Sequence, residues 1–288
     1  MRRVYGVSAA WLHKKRTDIT ALLRKRIFTG LILIATLLGA LFFLPPFGLL
    51  GLLLAVLGIA AFEWSKLAGI QANSTAAAFV AVTIAVSSVL IHFNPFAILT
   101  CMVATVFWMI LAATLSKMQK QSASRVVRPT IGILIISAAV YSISVIYAYT
   151  ETPQYWLIGL FVVVSIADVA AFFTGRRIGK TKLAPNISPG KTKEGVVGGI
   201  LAVFALSLGT GSLIWPERYG MILSWTGVCV LTAAFSIVGD LVVSVQKRIA
   251  GVKDSGKLLP GHGGVLDRID STLAAAPVYA LCVVLVLE

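Results

Sequence analysis

The chain contains repeated apolar runs of about 20 residues, the length that a helix needs to cross the hydrocarbon core of a bilayer. Hydrophobic residues make up 58% of the sequence and charged residues only 12%, against about 25% charged in soluble domains. So apolar a chain has too little polar surface to cover a water-soluble globule of 288 residues. The short alternating segments typical of a transmembrane barrel are absent. The sequence therefore predicts an all-α polytopic membrane protein.

Nine apolar segments are candidate transmembrane helices. They are residues 27–44, 47–62, 75–93, 95–115, 129–149, 155–175, 195–215, 221–243 and 269–287. Pro45 and Pro46 separate the first two, and they mark either a turn between two spans or a kink within one longer apolar segment.

These spans predict three regions. A basic cytoplasmic tail (1–26) precedes about five N-terminal transmembrane helices (27–150) and a C-terminal transmembrane region (151–288). The C-terminal region contains two long polar loops, 176–194 and 244–268, both rich in Gly, Pro, Lys and Ser.

The distribution of basic residues supports nine spans. With this count, 24 of the 25 Lys and Arg fall on one side of the membrane and only Arg218 falls on the other. Because cytoplasmic loops are enriched in Lys and Arg, the N-terminus is predicted to be cytoplasmic and the C-terminus to lie on the opposite side. The same rule accounts for most of the net charge of +14, so nucleic acid is not expected as a partner.

Several carboxylates are predicted to enter the membrane from the side that carries the two long loops. They are Asp168, Asp240, Asp267 and Asp270. An ionised carboxylate in hydrocarbon is costly, so these groups are expected to face a polar cavity or a cation. The alternative for each is an interhelical hydrogen bond or a salt bridge to a loop lysine. Glu63, flanked by Trp64 and Lys66, is interpreted instead as an interfacial anchor.

The polar groups on this side favour a hard cation and phosphate. Carboxylate oxygens suit Mg²⁺, and no His or Cys cluster competes for a softer metal. The glycine-rich segment 260–264 is predicted to bring backbone N–H groups close to an anion and then to open into a helix N-terminus that favours phosphate. Nearby cations, which can neutralise a polyphosphate, are Lys247, Arg248, Lys253, Lys257 and Arg268. The residues alone thus indicate phosphoryl or nucleotidyl transfer to a lipid, with a transporter as the non-enzymatic alternative.

Residues 244–270 resemble the signature of phosphatidate cytidylyltransferases. The matching residues are Ser244, Lys247-Arg248, Lys253-Asp254 and His262-Gly263-Gly264-Val265-Leu266-Asp267-Arg268-Ile269-Asp270. Upstream, residues 183–195 and the pair Gly239-Asp240 are similar to further segments of the family, and the resemblance extends from about Asp168 to the C-terminus. Gln246 and Val169 depart from the family pattern, in which an apolar residue and a small hydroxyl residue are usual.

The resemblance implies a reaction of CTP with phosphatidic acid that gives CDP-diacylglycerol and pyrophosphate. The protein is expected in a bacterial-type inner membrane, and the distribution of basic residues predicts an active site that faces the cytoplasm. The small-residue run 195–199 would allow close helix packing, either within the chain or between the subunits of a possible homodimer. Another CTP-dependent lipid enzyme, such as a lipid kinase, is the closest alternative.

The resemblance also implies site residues. The catalytic set is Asp240, Lys253, Asp254, His262, Asp267, Arg268 and Asp270. The substrate-binding set is Ser188, Lys191, Thr192, Glu194, Lys247, Arg248, Gly263 and Gly264. Asp240, Asp267 and Asp270 are expected to hold Mg²⁺ on the CTP phosphates, and Asp168 is expected to hold a second cation or to brace the basic loops.

Overall fold

The computed structural model describes residues 28–92, 96–120 and 127–287, so the basic tail lies outside the described residues. Within these ranges the chain forms nine helices and one short hairpin. The helices are α1 (Phe28–Phe43), α2 (Pro46–Leu67), α3 (Asn73–His92), α4 (Ala97–Lys120), α5 (Val127–Tyr149), α6 (Pro153–Ile178), α7 (Lys193–Ile214), α8 (Tyr219–Ile249) and α9 (Leu266–Leu287). The hairpin pairs β1 (Lys182–Ala184) with β2 (Ser188–Thr192) in antiparallel register.

Each predicted span coincides with one of these helices, which confirms the all-α polytopic fold. Helices α2 to α9 are long and apolar enough to cross a membrane, whereas α1 is shorter. The pair Pro45-Pro46 marks a turn, because α1 ends at Phe43 and α2 begins at Pro46 with proline in its first turn. Proline is favoured there because the first helical N–H groups have no intrahelical partner.

Helix α9 lies at the centre of the bundle. It packs against α8, α5 and α4, and 72% of its apolar segment is buried. Its alanines, Ala274 to Ala276, are completely buried and let neighbouring helices approach closely. On α8, Gly239 faces this surface, where an added Cβ would lie 3.1 Å from the Cβ of Ala274 and closer still to the Asp270 carbonyl. Glycine at this position therefore brings the neighbouring Asp240 beside α9.

Helices α6 and α7 form another close pair. A Cβ on Gly195 would lie 2.7 Å from the Ala171 carbonyl oxygen, and one on Gly199 would lie 2.7 Å from that of Ala167. These two glycines of the small-residue run at the start of α7 therefore pack within the chain, against α6. This close contact fixes the position of the hairpin, which connects α6 to α7.

Both predicted polar loops are more ordered than their composition indicates. The first contains the end of α6, the hairpin and the start of α7, and the second begins only after α8 ends at Ile249, six residues beyond the predicted span. With 31 residues, α8 is about 46 Å long. Its last turns remain helical because Val245 is buried against Ile187 of the hairpin.

Candidate active site

The candidate site lies at one end of the bundle, which we call the loop end. There α6 and α8 end, α7 and α9 begin, and the hairpin and the segment 250–265 cover the helix ends. The side chains that the sequence singled out come to this end from four separate helices and from the hairpin.

An ion pair joins the hairpin to α8. The Lys191 Nζ lies 2.6 Å from the Asp240 Oδ2, and both side chains are about three-quarters buried. The Ser244 hydroxyl, one turn further along α8, donates to the Asp240 Oδ1 at 3.0 Å. Residues from the two predicted loops thus meet at a single carboxylate.

A second, more deeply buried ion pair joins α8 to α9. The Lys247 Nζ donates to the Asp267 Oδ1 at 2.8 Å and lies 3.8 Å from the Asp270 Oδ2. The other oxygen of Asp267 accepts the backbone N–H groups of Ser255 at 2.8 Å and Gly264 at 3.0 Å. Both oxygens of Asp267 are therefore engaged within the protein, so this residue braces segment 250–265 in the structure.

Two carboxylates keep an oxygen for a further ligand, and they lie beside Asp240, whose own two oxygens are bonded to Lys191 and Ser244. Asp168 accepts the Ser271 hydroxyl at its Oδ2, at 3.3 Å, and within the described ranges no hydrogen bond reaches its Oδ1. Asp270 accepts the N–H of Ser271 at its Oδ1, while its Oδ2 has only the distant Lys247. Asp168, Asp240 and Asp270 are close enough to one another to interact electrostatically. They form what we call the carboxylate triangle.

The carboxylate oxygens of the triangle are ligands of the kind that a hard cation prefers. Mg²⁺ prefers oxygen ligands and commonly binds one or two carboxylates, with water and substrate phosphate completing its shell. Among the described residues, no three His, Cys, Asp or Glu side chains already stand at metal-binding geometry. The donor set therefore fits an ion shared with a phosphorylated substrate better than an ion held by protein ligands alone.

Glu63 belongs to this region, and its interpretation as an interfacial anchor is wrong. The side chain is only 6% exposed. Its carboxylate accepts the Ser255 hydroxyl at 2.8 Å and the backbone N–H groups of Val265 at 3.0 Å and Leu266 at 2.8 Å. Glu63 therefore caps the start of α9, where a negative charge is favourable. The sequence signal that singled out Asp168, a carboxylate at the end of an apolar span, could also have identified Glu63 as a site residue.

The glycine-rich segment does not form the predicted anion cradle. The N–H groups of His262 and Gly263 donate to the Leu259 carbonyl, and that of Gly264 donates to Asp267. These N–H groups, and those of Val265 and Leu266 that donate to Glu63, are bonded within the protein and are not directed at an anion. The glycines instead serve the backbone path, since Gly261 and Gly263 have φ angles of +77° and +84°.

Other predicted site residues hold the hairpin in place. The Thr192 hydroxyl accepts the Gly195 N–H at 3.1 Å and so caps α7. The Glu194 carboxylate accepts the Thr181 N–H at 3.0 Å, which fastens the chain just before β1. The Arg248 guanidinium donates to the Ile187 carbonyl at 3.0 Å and so links α8 to the hairpin turn. Ser188 begins β2 and is half-buried.

The remaining predicted residues lie at the rim. Lys253, Asp254 and Arg268 are exposed, and Arg268 is close enough to Asp168 to interact electrostatically. Asp254 lies against Gly263. His262 contacts α1, since its Nδ1 is 2.5 Å from the Thr29 hydroxyl. The cations at the rim are therefore available to an anionic substrate that approaches the carboxylate triangle.

The two departures from the family pattern have structural explanations. Gln246 is buried and its Oε1 accepts a hydrogen bond from the Arg128 Nε at 3.2 Å, so an amide here serves a half-buried arginine of α5. Val169 is 54% exposed on α6, a surface that suits an apolar residue in a membrane. Neither residue belongs to the ion pairs of the site.

Comparison with known proteins defines the class. A family model described as the cytidylyltransferase family matches residues 24–286. A phosphatidate cytidylyltransferase of Pseudomonas aeruginosa is 37% identical over 262 residues, which cover 90% of this chain and 96% of that protein. One of Haemophilus influenzae is 44% identical over 140 residues, or 46% of this chain and 48% of that protein. An uncharacterised Escherichia coli protein is 44% identical over 118 residues, 39% of this chain and 37% of its own length.

Fold, site and similarity thus describe a polytopic membrane transferase. The chain belongs to the cytidylyltransferase family, whose model covers it from before α1 to the last turn of α9.

A Glu63→Gln variant is expected to lower the thermal stability. The amide keeps the size of the side chain but removes the charge from its three hydrogen bonds, each worth about 1.5–3 kcal/mol when one partner is ionised. We expect a loss of about 2 kcal/mol in the free energy of unfolding, measured by thermal unfolding in detergent. The matched control is Glu217→Gln at an exposed position between α7 and α8. Equal unfolding temperatures for Glu63→Gln and the control would contradict the capping role.

Proposed function

We propose that the protein transfers the cytidylyl group of CTP to phosphatidic acid. A phosphate oxygen of the lipid attacks the α-phosphorus of CTP, and the bond from that phosphorus to the bridging oxygen breaks. Pyrophosphate leaves with the electron pair of that bond, and CDP-diacylglycerol remains. The observation that carries this proposal is the meeting of Lys191, Asp240 and the carboxylate triangle at the loop end, in the region that resembles the family signature.

The chemistry of this reaction matches the residues present. The lipid phosphate is already ionised, so the site needs no strong general base. The difficulty lies in bringing two anions together and stabilising charge on the leaving pyrophosphate, for which fixed cations are effective. Lys191 lies at the triangle, and Lys253 and Arg268 lie at the rim. Ser188 and His262 would donate hydrogen bonds to the substrates.

A divalent cation completes the proposal. Asp168, Asp240 and Asp270 would hold Mg²⁺, which when bound neutralises charge on the CTP phosphates. Asp267 is better suited to bracing than to ligation, because its side chain is only 4% accessible and it holds two backbone N–H groups as well as the buried Lys247. Where two cations bind, Asp168 would hold the second one.

The loop end is proposed to face the cytoplasm of a bacterial-type inner membrane. Among the described residues Lys66, Arg128 and Lys247 lie at this end, whereas Arg218, between α7 and α8, lies at the other. This asymmetry is the one that the positive-inside rule associates with the cytoplasmic side. CTP would then reach the site from the cytosol while phosphatidic acid reaches it from the inner leaflet.

The proposal is tested with purified protein, phosphatidic acid in mixed micelles, CTP and Mg²⁺. We expect release of pyrophosphate and formation of CDP-diacylglycerol, identified by mass spectrometry. Chelation of the metal should lower the rate about 100-fold or more, and added Mg²⁺ should restore it. Replacing CTP by its α,β-methylene analogue separates the alternatives, since a lipid kinase still transfers the terminal phosphate whereas cytidylyl transfer stops. Lipid or ion transport without consumption of CTP would favour a transporter.

A further inference from the structure

A groove between α2 and α3 lies beside the site. Its volume is about 920 Å³, within the range of small-molecule sites. The apolar wall consists of residues of both helices from the loop end to just past the middle of each helix, including Gly58, Phe62, Val80 and Ile84. The polar part of the lining lies at the mouth, where Glu63, Lys66 and the segment 255–258 meet.

The dimensions of the groove match one leaflet of a bilayer. On α2 the lining extends from Ala55 to Lys66, which is about 16 Å along a helix axis. The hydrocarbon core of a bilayer is about 30 Å thick, so one leaflet supplies about 15 Å of acyl chain. Because the polar residues lie at the loop end, a phospholipid chain in the groove would have its headgroup at the mouth and its tail toward the centre of the membrane.

The charge at the mouth favours an anionic headgroup. Glu63 is buried and its charge is compensated by three hydrogen bonds. Lys66 lies over the Phe62 ring, 5.1 Å from its centroid, and donates to the Asn73 side chain at 3.0 Å. Lys257 is exposed and forms no ion pair within the described parts of the chain. Two lysines thus face one internally bonded carboxylate.

The mouth is also connected to the carboxylate and lysine cluster. Ser255, which lines the mouth, donates its hydroxyl to Glu63 and its backbone N–H to Asp267. Asp267 is in turn bonded to Lys247, which approaches Asp270 of the triangle. A headgroup at Lys257 would therefore be held by the same segment that Asp267 anchors.

We propose that this groove seats phosphatidic acid for the transfer reaction, with an acyl chain between α2 and α3 and the phosphate monoester at Lys257. The proposal rests on the proposed function. A phosphate monoester carries up to two negative charges and no compensating cation, which distinguishes it from zwitterionic headgroups and suits a basic mouth. The groove thereby supplies the lipid subsite, and the carboxylate triangle with its cations supplies the nucleotide subsite.

Photolabelling tests the occupant directly and without turnover. Purified protein in nanodiscs is irradiated with phosphatidic acid that carries a diazirine in the middle of one acyl chain, and the labelled peptides are identified by mass spectrometry. We expect labels on residues 55–66 and 77–84, reduced by unlabelled phosphatidic acid and by Lys257→Ala. Equal labelling of these segments by a phosphatidylcholine probe would overturn the proposal, because the groove would then be a general contact with the bilayer.

Steady-state kinetics test the link to the reaction. A Cβ at position 58 would be 3.7 Å from the Val80 Cγ1, so Gly58→Phe has room for its first atom and projects its ring into the groove. We expect the KM for phosphatidic acid to rise at least about fivefold while the KM for CTP stays unchanged. Gly51→Phe is the matched control, because position 51 on α2 has open space around it.

The outcomes of the two experiments separate the two proposals. If the unaltered protein makes no CDP-diacylglycerol, the proposed function fails, and the photolabelling alone decides whether the groove binds phosphatidic acid. If the protein is active but Gly58→Phe keeps its KM for phosphatidic acid, the groove is not the lipid subsite. Should Gly58→Phe fail to fold, Ala81→Phe on the opposite wall fills the same space and is held to the same expectation.

Discussion

Asp240→Asn is expected to lower the rate of cytidylyl transfer by about 100- to 1,000-fold, the range seen when one preorganised charge-stabilising group is removed from an active site. Asp240 is the residue at which the two polar segments meet. It holds Lys191 of the hairpin at 2.6 Å, accepts the Ser244 hydroxyl and borders Asp168 and Asp270. Asparagine keeps the shape of the side chain but loses the charge that fixes Lys191 and that would attract a divalent cation.

The measurement is kcat with saturating CTP and phosphatidic acid, accompanied by the Mg²⁺ concentration that gives half the maximal rate. We expect the requirement for Mg²⁺ to rise in Asp240→Asn, provided that the variant unfolds near the temperature of the unaltered protein. Glu151→Gln is the matched control, an equivalent change at an exposed carboxylate at the opposite end of the bundle. A variant that folds normally and keeps at least half of its turnover would remove Asp240 from the active site.

The sequence predicted the helices well because hydrophobic length is a local property. An apolar run of about 20 residues in this chain has few ways to satisfy its backbone other than as a membrane helix. The ends were less predictable. One predicted span ends at Val243, where the apolar run ends, but the helix continues to Ile249. Its last turns are helical because the hairpin buries Val245 and α9 buries Lys247. That burial depends on neighbours distant in the chain.

The same distinction applies to the site. Asp168, Asp240 and Asp270 could be found because a carboxylate inside an apolar segment is costly and needs a partner. Which partner each one has could not be found, because the contacts are made between distant segments. Glu63 is bonded to N–H groups 202 and 203 residues further along the chain. Those bonds occupy the helix N-terminus that the glycine-rich segment was expected to offer to phosphate.

The positions of Asp240 and Asp267 therefore indicate different functions for two residues that the family resemblance assigns to one metal site. Both oxygens of each residue are bonded, but Asp240 is 24% accessible and bonds only side chains, whereas Asp267 is 4% accessible and also holds two backbone N–H groups. A group that must exchange partners with a substrate needs access and side-chain partners that can move away. A group that fixes a loop needs neither. Substitutions of the signature residues should consequently divide into those that lower turnover at constant stability and those that lower stability itself.

Lys247→Met is the substitution that should lower stability most. Lys247 is buried and is the cation for Asp267 at 2.8 Å and for Asp270 at 3.8 Å. Removing one partner of a buried ion pair leaves an uncompensated charge and costs about 3–5 kcal/mol. For a chain of this size such a loss corresponds to a fall of about 10 °C in the unfolding temperature. The measurement is thermal unfolding in detergent, and Lys180→Met, at an exposed lysine before the hairpin, is the matched control.

The double variant Lys247→Met with Asp267→Asn identifies the cause of that loss. If the cost arises from the stranded carboxylate, neutralising Asp267 should recover part of the unfolding temperature, because the amide retains an oxygen for the N–H groups of Ser255 and Gly264. Asp270, 3.8 Å from Lys247, would still lack its cation, so recovery should remain incomplete. If Lys247 instead serves chiefly to bind CTP, as its place in the signature implies, Lys247→Met would unfold with the control and show only a higher KM for CTP. A lower unfolding temperature that the double variant partly recovers shows that this lysine holds α8 to α9, whereas a higher KM for CTP at an unchanged unfolding temperature shows that it binds the nucleotide.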